Sequence, residues 1–169
     1  GECAMDAGGY FIINGSEKTC LAQERAAENL VHCFDTSKSS SKWSWTAEIK
    51  SVPDHKCISP KQISMLVASK NNGFGHGLWI QIPRMKLPVP LFVLFRALGV
   101  LSDADICTCV VLDLEAKENL EFVSALQGSI VEGNTYLDQE SALCYLTDNV
   151  LYTPMNMDKE TGARKKREF

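Results

Sequence analysis

No stretch of the 169 residues stays apolar for the roughly 18 positions needed to cross a bilayer, and no basic, apolar and small-residue series of a secretory leader opens the chain. The chain is therefore expected neither to span a membrane nor to be secreted. Positive charge is also short, since 17 Lys and Arg against 21 Asp and Glu leave a formal net charge of −4. No global field gathers nucleic acid, so any contact with DNA has to come from a local patch or from neighbouring chains, and a free-standing DNA binder is excluded. The cysteines lack the C-x₂-C pairing that tetrahedral zinc prefers: Cys107-Thr108-Cys109 is one residue short, and His32-Cys33 and His55-Lys56-Cys57 are no better spaced. Cys3, Cys20, Cys33, Cys57, Cys107, Cys109 and Cys144 are odd in number and scattered, and are expected to be reduced and buried in a cytosolic or nuclear protein. His76 has no Ser or Cys nucleophile in a recognisable frame, so no catalytic residue and no metal ligand is assigned.

What remains is globular. Hydrophobic residues at 45% and charged residues at 22% are ordinary for a folded domain. A chain of this length supports one core that buries about 68–70% of its unfolded surface. The first residue is Gly rather than Met, and the expectation is a piece of a larger polypeptide.

The stretch with most local information is Gly9 to Lys18. Four apolar residues run into Asn14-Gly15, a pair that supplies the two positive-φ positions of a type I′ turn, so a tight β-hairpin is expected. Leu21, Ala26, Ala27 and Leu30 lie near helical spacing, which leaves a helix over 22–30 open. Residues 37–41 read as a solvated loop. Alternation of Trp43, Trp45, Ala47 and Ile49 against Ser44, Thr46, Glu48 and Lys50 then gives a half-buried strand with both indoles on one face. A base-stacking platform is the functional alternative, but core or interface packing is the commoner use of such a pair.

Pro53 and Pro60 bracket a loop, and strands are expected over Ile63–Ala68 and Leu78–Ile82. The intervening Gly73, Gly75 and Gly77 invite a phosphate-loop reading. That reading lacks both the G-x-x-x-x-G-K-[ST] pattern and a following helix, so a flexible hairpin loop is expected instead. Pro90 suits the first position of a helix running from Leu91 to Leu98 and stopping at Gly99. This helix is apolar on nearly every side and should be central. Its Arg96 either snorkels to the surface or holds a carboxylate in a buried pair, and a structural role is favoured over a catalytic one. Ser102 with Asp103 and Asp105 fits a helix start rather than a magnesium site. Leu120, Val123, Leu126 and Ile130 mark one amphipathic helix, and Asp138 caps a last one carrying Ala142, Leu143 and Leu146. Strands first and helices second predict an α+β fold, a mostly antiparallel sheet from the first half packed against three to four helices from the second. The terminal basic run Arg164 to Arg167 leaves a nuclear-import or nucleic-acid patch open on its residues alone.

Several strings occur together in one order: GGYFIINGSEK with LAQER, then Thr46 to Ser51, Ile82-Pro83, and Pro90 to Gly99 with Ser102-Asp103. In this the chain resembles the second-largest subunit of multisubunit RNA polymerases, over most of its length. Glu2-Cys3 and the Arg-Ala-Leu-Gly wording are most similar to the eukaryotic RNA polymerase II branch and its large-DNA-virus relatives. Where bacterial members usually carry an arginine, Ala26 stands here with Arg25 beside it. The resemblance implies the lobe domain (domain 2), with 1–25 joining protrusion to lobe, 26–153 forming the lobe and 154–169 leading back toward the protrusion. It also favours a strand through about Gln23 over the helix.

It implies that Lys18, Gln23 and Arg25 lie near nucleic acid; on the residues themselves Asn14, Gly15, Arg96 and Gly99 read as structural, and the alternative for Arg25 is a pairing with Glu24, Glu28 or another domain. The implied enzyme is a DNA-directed nucleotidyltransferase whose magnesium and zinc sit outside this piece, which is inactive alone and carries no cofactor. Implied partners are the largest subunit and other polymerase subunits, a small zinc-ribbon subunit, an initiation factor, and DNA in the assembled enzyme. The implied location is the nucleus, or the cytoplasm or virion for a virus-encoded protein. Two other classes stay open, an enzyme with its own site and an unrelated protein-interaction domain.

Overall fold

The computed structural model describes residues 1, 3–38 and 42–151. Strands β1 (Phe11–Ile13) and β2 (Ser16–Lys18) form a two-stranded antiparallel hairpin of their own. Asn14 at φ 50° and Gly15 at φ 75° make its turn, the pair of positive φ values that the Asn-Gly signal implies. A five-stranded antiparallel sheet follows in simple sequential order: β3 (Val31–Asp35), β4 (Trp43–Ser51), β5 (Lys61–Asn71), β6 (His76–Gln81) and β7 (Val89–Pro90). Among the described residues the second half supplies α1 (Leu91–Ala97), α2 (Asp103–Val111), one 3₁₀ turn (Lys117–Asn119), α3 (Leu120–Ala125), α4 (Gln127–Gly133) and α5 (Gln139–Asn149). The architecture is α+β, sheet first and helices second, as the order of sequence signals implies.

Helix α1 is the shared spine of the core. Leu91 and Phe92 pack with Ile80, Ile106, Cys107 and Leu126, while Val93 and Ala97 pack with Met85, Val89 and Ala142. One apolar helix thereby belongs to two clusters, which its lack of a polar face requires. Its end is a Schellman turn: Val100 N–H donates to Phe95 O at 3.0 Å and Gly99 N–H to Arg96 O at 3.0 Å. That geometry puts Gly99 at φ 99°, where a side chain would be strained. Pro90 is the last residue of β7 and the N-cap of α1, one position earlier than the sequence suggests.

Several local expectations are corrected. The strand expected through Gln23 ends at Lys18, and the helix considered over 22–30 does not form; residues 19–27 are irregular. Strand β3 gives no clear signal, because its His and Asp interrupt the apolar pattern. The loop expected over 69–77 is shorter, with β5 continuing to Asn71 and β6 starting at His76. Asn71 makes the tight turn possible, its Oδ1 accepting from Gly73 N–H at 2.7 Å and Gly75 N–H at 3.1 Å. Ser102 and Asp138 occupy N-cap positions, yet neither side chain makes a capping hydrogen bond.

The expected helix through Leu120 and Ile130 breaks at Leu126 into α3 and α4. The chain turns there so that Gly128 can lie against the β5–β6 hairpin, where an added Cβ would come within 2.7 Å of the Gly75 carbonyl carbon. Leu120 is left exposed while Leu126 is buried. Six of the seven cysteines are exposed and Cys107 alone is buried, against the expectation of burial; Cys3, Cys20 and Cys57 lie on irregular backbone, Cys33 on the edge strand β3, and Cys109 and Cys144 on exposed positions of α2 and α5. Residues 39–41 of the serine loop and the basic run at 164–167 lie outside the described residues.

The two tryptophans of β4 do not share a face. Residues directly opposed in antiparallel strands point to the same side of a sheet, and Trp45, Val67 and Leu78 are opposed in turn, as are Thr46, Leu66 and Trp79. A register shift between Trp43 and Trp45 inserts one extra residue, so Trp43 opposes Ala68 and joins the Leu66–Trp79 face. Leu78 and Ile80 carry the other face against the helices.

Candidate functional site

The hairpin and the segment after it hold the residues that the sequence places near nucleic acid. Lys18 ends β2 opposite Phe11, exposed. Gln23 and Arg25 lie on irregular, exposed backbone, so the strand alternation that would aim them alike does not apply. The Arg25 side chain is 80% exposed, with its Nη2 3.2 Å from Glu28 Oε1. An exposed pair of this kind contributes at most about 1 kcal/mol and competes weakly with a phosphate. The hairpin's apolar side chains are uncovered: Phe11, Ile12 and Ile13 are all more than half exposed. Its approach is ordered by Asp6, which accepts from the Tyr10 hydroxyl at 2.7 Å and from Gly8 N–H at 3.3 Å. Those bonds, the phenol first, hold the Asp6 carboxyl below the ordinary carboxylate range, and the same carboxylate raises the Tyr10 phenol.

Arg96 is 1% exposed. Its Nη1 donates to Gly133 O at 2.7 Å and Tyr136 O at 3.0 Å, at the end of α4, and its Nη2 to Asp103 Oδ1 at the start of α2. Of the two possibilities for this residue, a snorkelling stem and a buried carboxylate pair, the geometry is the pair. Its Nε has no partner, the one such buried side-chain atom among the described residues. Asp103, read from sequence as a helix-start carboxylate, also has this second use. The neighbouring Cys107 thiol is pushed up, by burial first and the Asp103 charge second, so it is not primed as a nucleophile.

No group of three or more His, Cys, Asp or Glu side chains able to hold a metal occurs among the described residues. His76 Nδ1 lies 2.8 Å from Ala68 O, a contact that uses the ring N–H to hold the β5–β6 hairpin. One concave feature had no sequence signal. The Trp43 register shift brings its ring to 6.3 Å from that of Trp79, inclined by 58°, at the side of a cleft of about 630 Å³ that Pro88 and Tyr145 also line. Only the bulge puts these groups together, and a bulge leaves no pattern in a run of alternating residues. The Tyr145 phenol is raised by burial and then by Tyr136, so it keeps its proton well past neutrality.

Comparison with known proteins places these features in a family. A family model described as RNA polymerase beta subunit matches residues 1–151. The chain is 40% identical over 146 residues to the DNA-directed RNA polymerase II subunit RPB2 of Encephalitozoon cuniculi, covering 86% of this chain and 12% of that protein. To the subunit Rpo2 of Saccharolobus solfataricus it is 36% identical over 131 residues, 78% of this chain and 11% of that one. To subunit 2 of Acanthamoeba polyphaga mimivirus it is 27% identical over 170 residues, 99% of this chain and 14% of that one. The chain thus spans about 12% of the length of the first of these relatives.

Proposed function

The chain belongs to the RNA polymerase beta subunit family, as part of a second-largest subunit, and from that premise we propose that it forms the lobe beside the DNA cleft of a DNA-directed RNA polymerase. An unrelated interaction domain is not favoured beside a family match over residues 1–151. In this reading residues 1–25 join protrusion to lobe, 26–153 are the lobe, and 154–169 lead back. The chain supplies no chemistry of its own; magnesium and zinc belong to other parts of the assembly, and RNA synthesis is the work of the whole. Its partners are the largest subunit and other polymerase subunits, a small zinc-ribbon subunit and an initiation factor. Its place is the nucleus for a cellular enzyme, and the cytoplasm or virion for a viral one.

The observation that carries the reading is the β1–β2 hairpin with its exposed tail. Three apolar residues more than half exposed on a two-stranded unit are an interface waiting for protein. Lys18, Gln23 and Arg25 follow immediately, solvent-facing, where a guanidinium, an amide and an ammonium can take phosphates. A few such groups against a net charge of −4 hold duplex no tighter than about 10⁻⁴ M at physiological salt, so DNA is bound only in the assembled enzyme. The test is Arg25→Ala in the assembled polymerase. Open-complex lifetime should shorten, and the slope of log affinity against log salt should fall by about one unit. An unchanged lifetime across the salt series would make Arg25 a purely structural partner of Glu28.

A further inference from the structure

We propose that the cleft between Trp43, Trp79 and Tyr145 is a slot for a proline-rich segment of another polypeptide, held in polyproline II conformation with an acidic side chain at one end. The site is built on the sheet face away from the α1–α3 core, and its walls come from non-adjacent parts of the chain: β4, β6, the turn before β7, and α5. Trp43 and Trp79 meet at an incline, and Tyr145 is braced against Tyr136 with ring centroids 4.8 Å apart. Inclined aromatic walls leave a groove that rigid pyrrolidine rings fill without losing much entropy, and the cleft's volume of about 630 Å³ is large enough for several residues.

Hydrogen bonding points to the same ligand. Trp79 and Tyr145 both line the cleft, and neither the indole N–H nor the phenol hydroxyl has a hydrogen-bond partner among the described residues. The slot therefore offers donors beside apolar walls. A polyproline II chain is the complement, because its carbonyls make no internal bonds and its prolines bring no competing N–H. Charge sets the direction of the ligand. Lys70 lines the cleft, and Lys42 stands 5.0 Å over the Trp43 ring. Glu132 lines the cleft too, held by Asn72 Nδ2 at 3.2 Å. An acidic residue at the Lys70 end complements that ammonium. A phosphate at every unit, as in single-stranded nucleic acid, would instead meet Glu132, so a peptide is favoured over a base-stacking strand.

The test does not depend on the polymerase assignment. The full 169-residue chain carrying Trp45→Phe keeps Trp43 and Trp79 as its two indoles, and their fluorescence is titrated with three probes. The probes are an eight-proline peptide ending in two glutamates, the same peptide with alanine for proline, and decathymidylate. Saturable binding of the proline peptide, at least about tenfold tighter than either control, is expected. Tyr145→Phe, which deletes one unpartnered hydroxyl, should weaken that binding by roughly three- to tenfold with an unchanged thermal midpoint. A fourth titration, with the proline peptide ending in two glutamines, should show weaker binding than the glutamate form, and Lys70→Ala should abolish that preference. Tighter binding of decathymidylate, equal binding of the alanine peptide, no binding of the proline peptide, or an unaffected affinity in Tyr145→Phe would each overturn the proposal.

Discussion

Replacing Arg96 by methionine keeps a long unbranched stem in the same hole while deleting the guanidinium. Two carbonyls, Gly133 O and Tyr136 O, lose their donor, and Asp103 loses its cation. An orphaned buried acceptor costs about 1–3 kcal/mol, and the Tyr136 bond is only partly buried. Against that stands the relief of no longer burying a charge whose Nε has no partner. The net expectation is a loss of about 2–3 kcal/mol for Arg96→Met. Arg96→Ala adds a cavity and should cost about 4–5 kcal/mol. Asp103→Asn should cost less, about 1 kcal/mol, because the Asp103 side chain is 43% exposed and water screens its half of the pair. Urea unfolding at constant slope reads these losses, and each kcal/mol should lower the thermal midpoint by about 2–4 °C. A cost for Arg96→Met under about 0.5 kcal/mol, or a cost for Asp103→Asn above that of Arg96→Met, would refute the idea that this guanidinium latches α4 to α1.

Phe92 is fully buried on α1, so Phe92→Ala should cost about 3–5 kcal/mol in thermal or urea unfolding, and a loss under 1 kcal/mol would make that helix peripheral. The purified chain should extend no RNA on a template with Mg²⁺; incorporation that survives full purification would sink the reading of a segment without its own chemistry. Asp6 titrates lower in the folded chain than unfolded, so its bond to Tyr10 contributes order above the ordinary carboxylate range and loses it as pH falls through the lowered value. Tyr10 titrates higher, so its contribution is complete below the ordinary phenol value and lost as pH rises through the raised one. Asp6→Asn should return the Tyr10 phenol to its ordinary titration, observable by ultraviolet absorbance.

Legibility followed the range of the interactions. The hairpin turn was readable because Asn14 and Gly15 carry their own φ preference, and α1 because a proline, an apolar run and Gly99 mark its two ends locally. Arg96 was half-readable: a lone cation in an apolar helix signals a buried pair or a snorkel. The choice rests on carbonyls 37 and 40 residues away. The break at Leu126 depends on Gly128 meeting Gly75 across the fold, and the parting of Trp43 from Trp45 depends on one inserted residue. Neither leaves a mark on periodicity. The candidate nucleic-acid residues came from resemblance, since nothing in the local pattern around Gln23 and Arg25 distinguishes a phosphate contact from the exposed pair with Glu28.

The most direct measurement is photo-cross-linking from position 23 in the assembled polymerase. A photoreactive residue replacing Gln23, in an enzyme poised on a labelled DNA template, should give a DNA cross-link in the open complex, whereas the same residue replacing Leu143 on the outer side of α5 should give none. A cross-link at 143 and none at 23, or cross-links to protein alone from both, would contradict the placement of this segment beside the cleft.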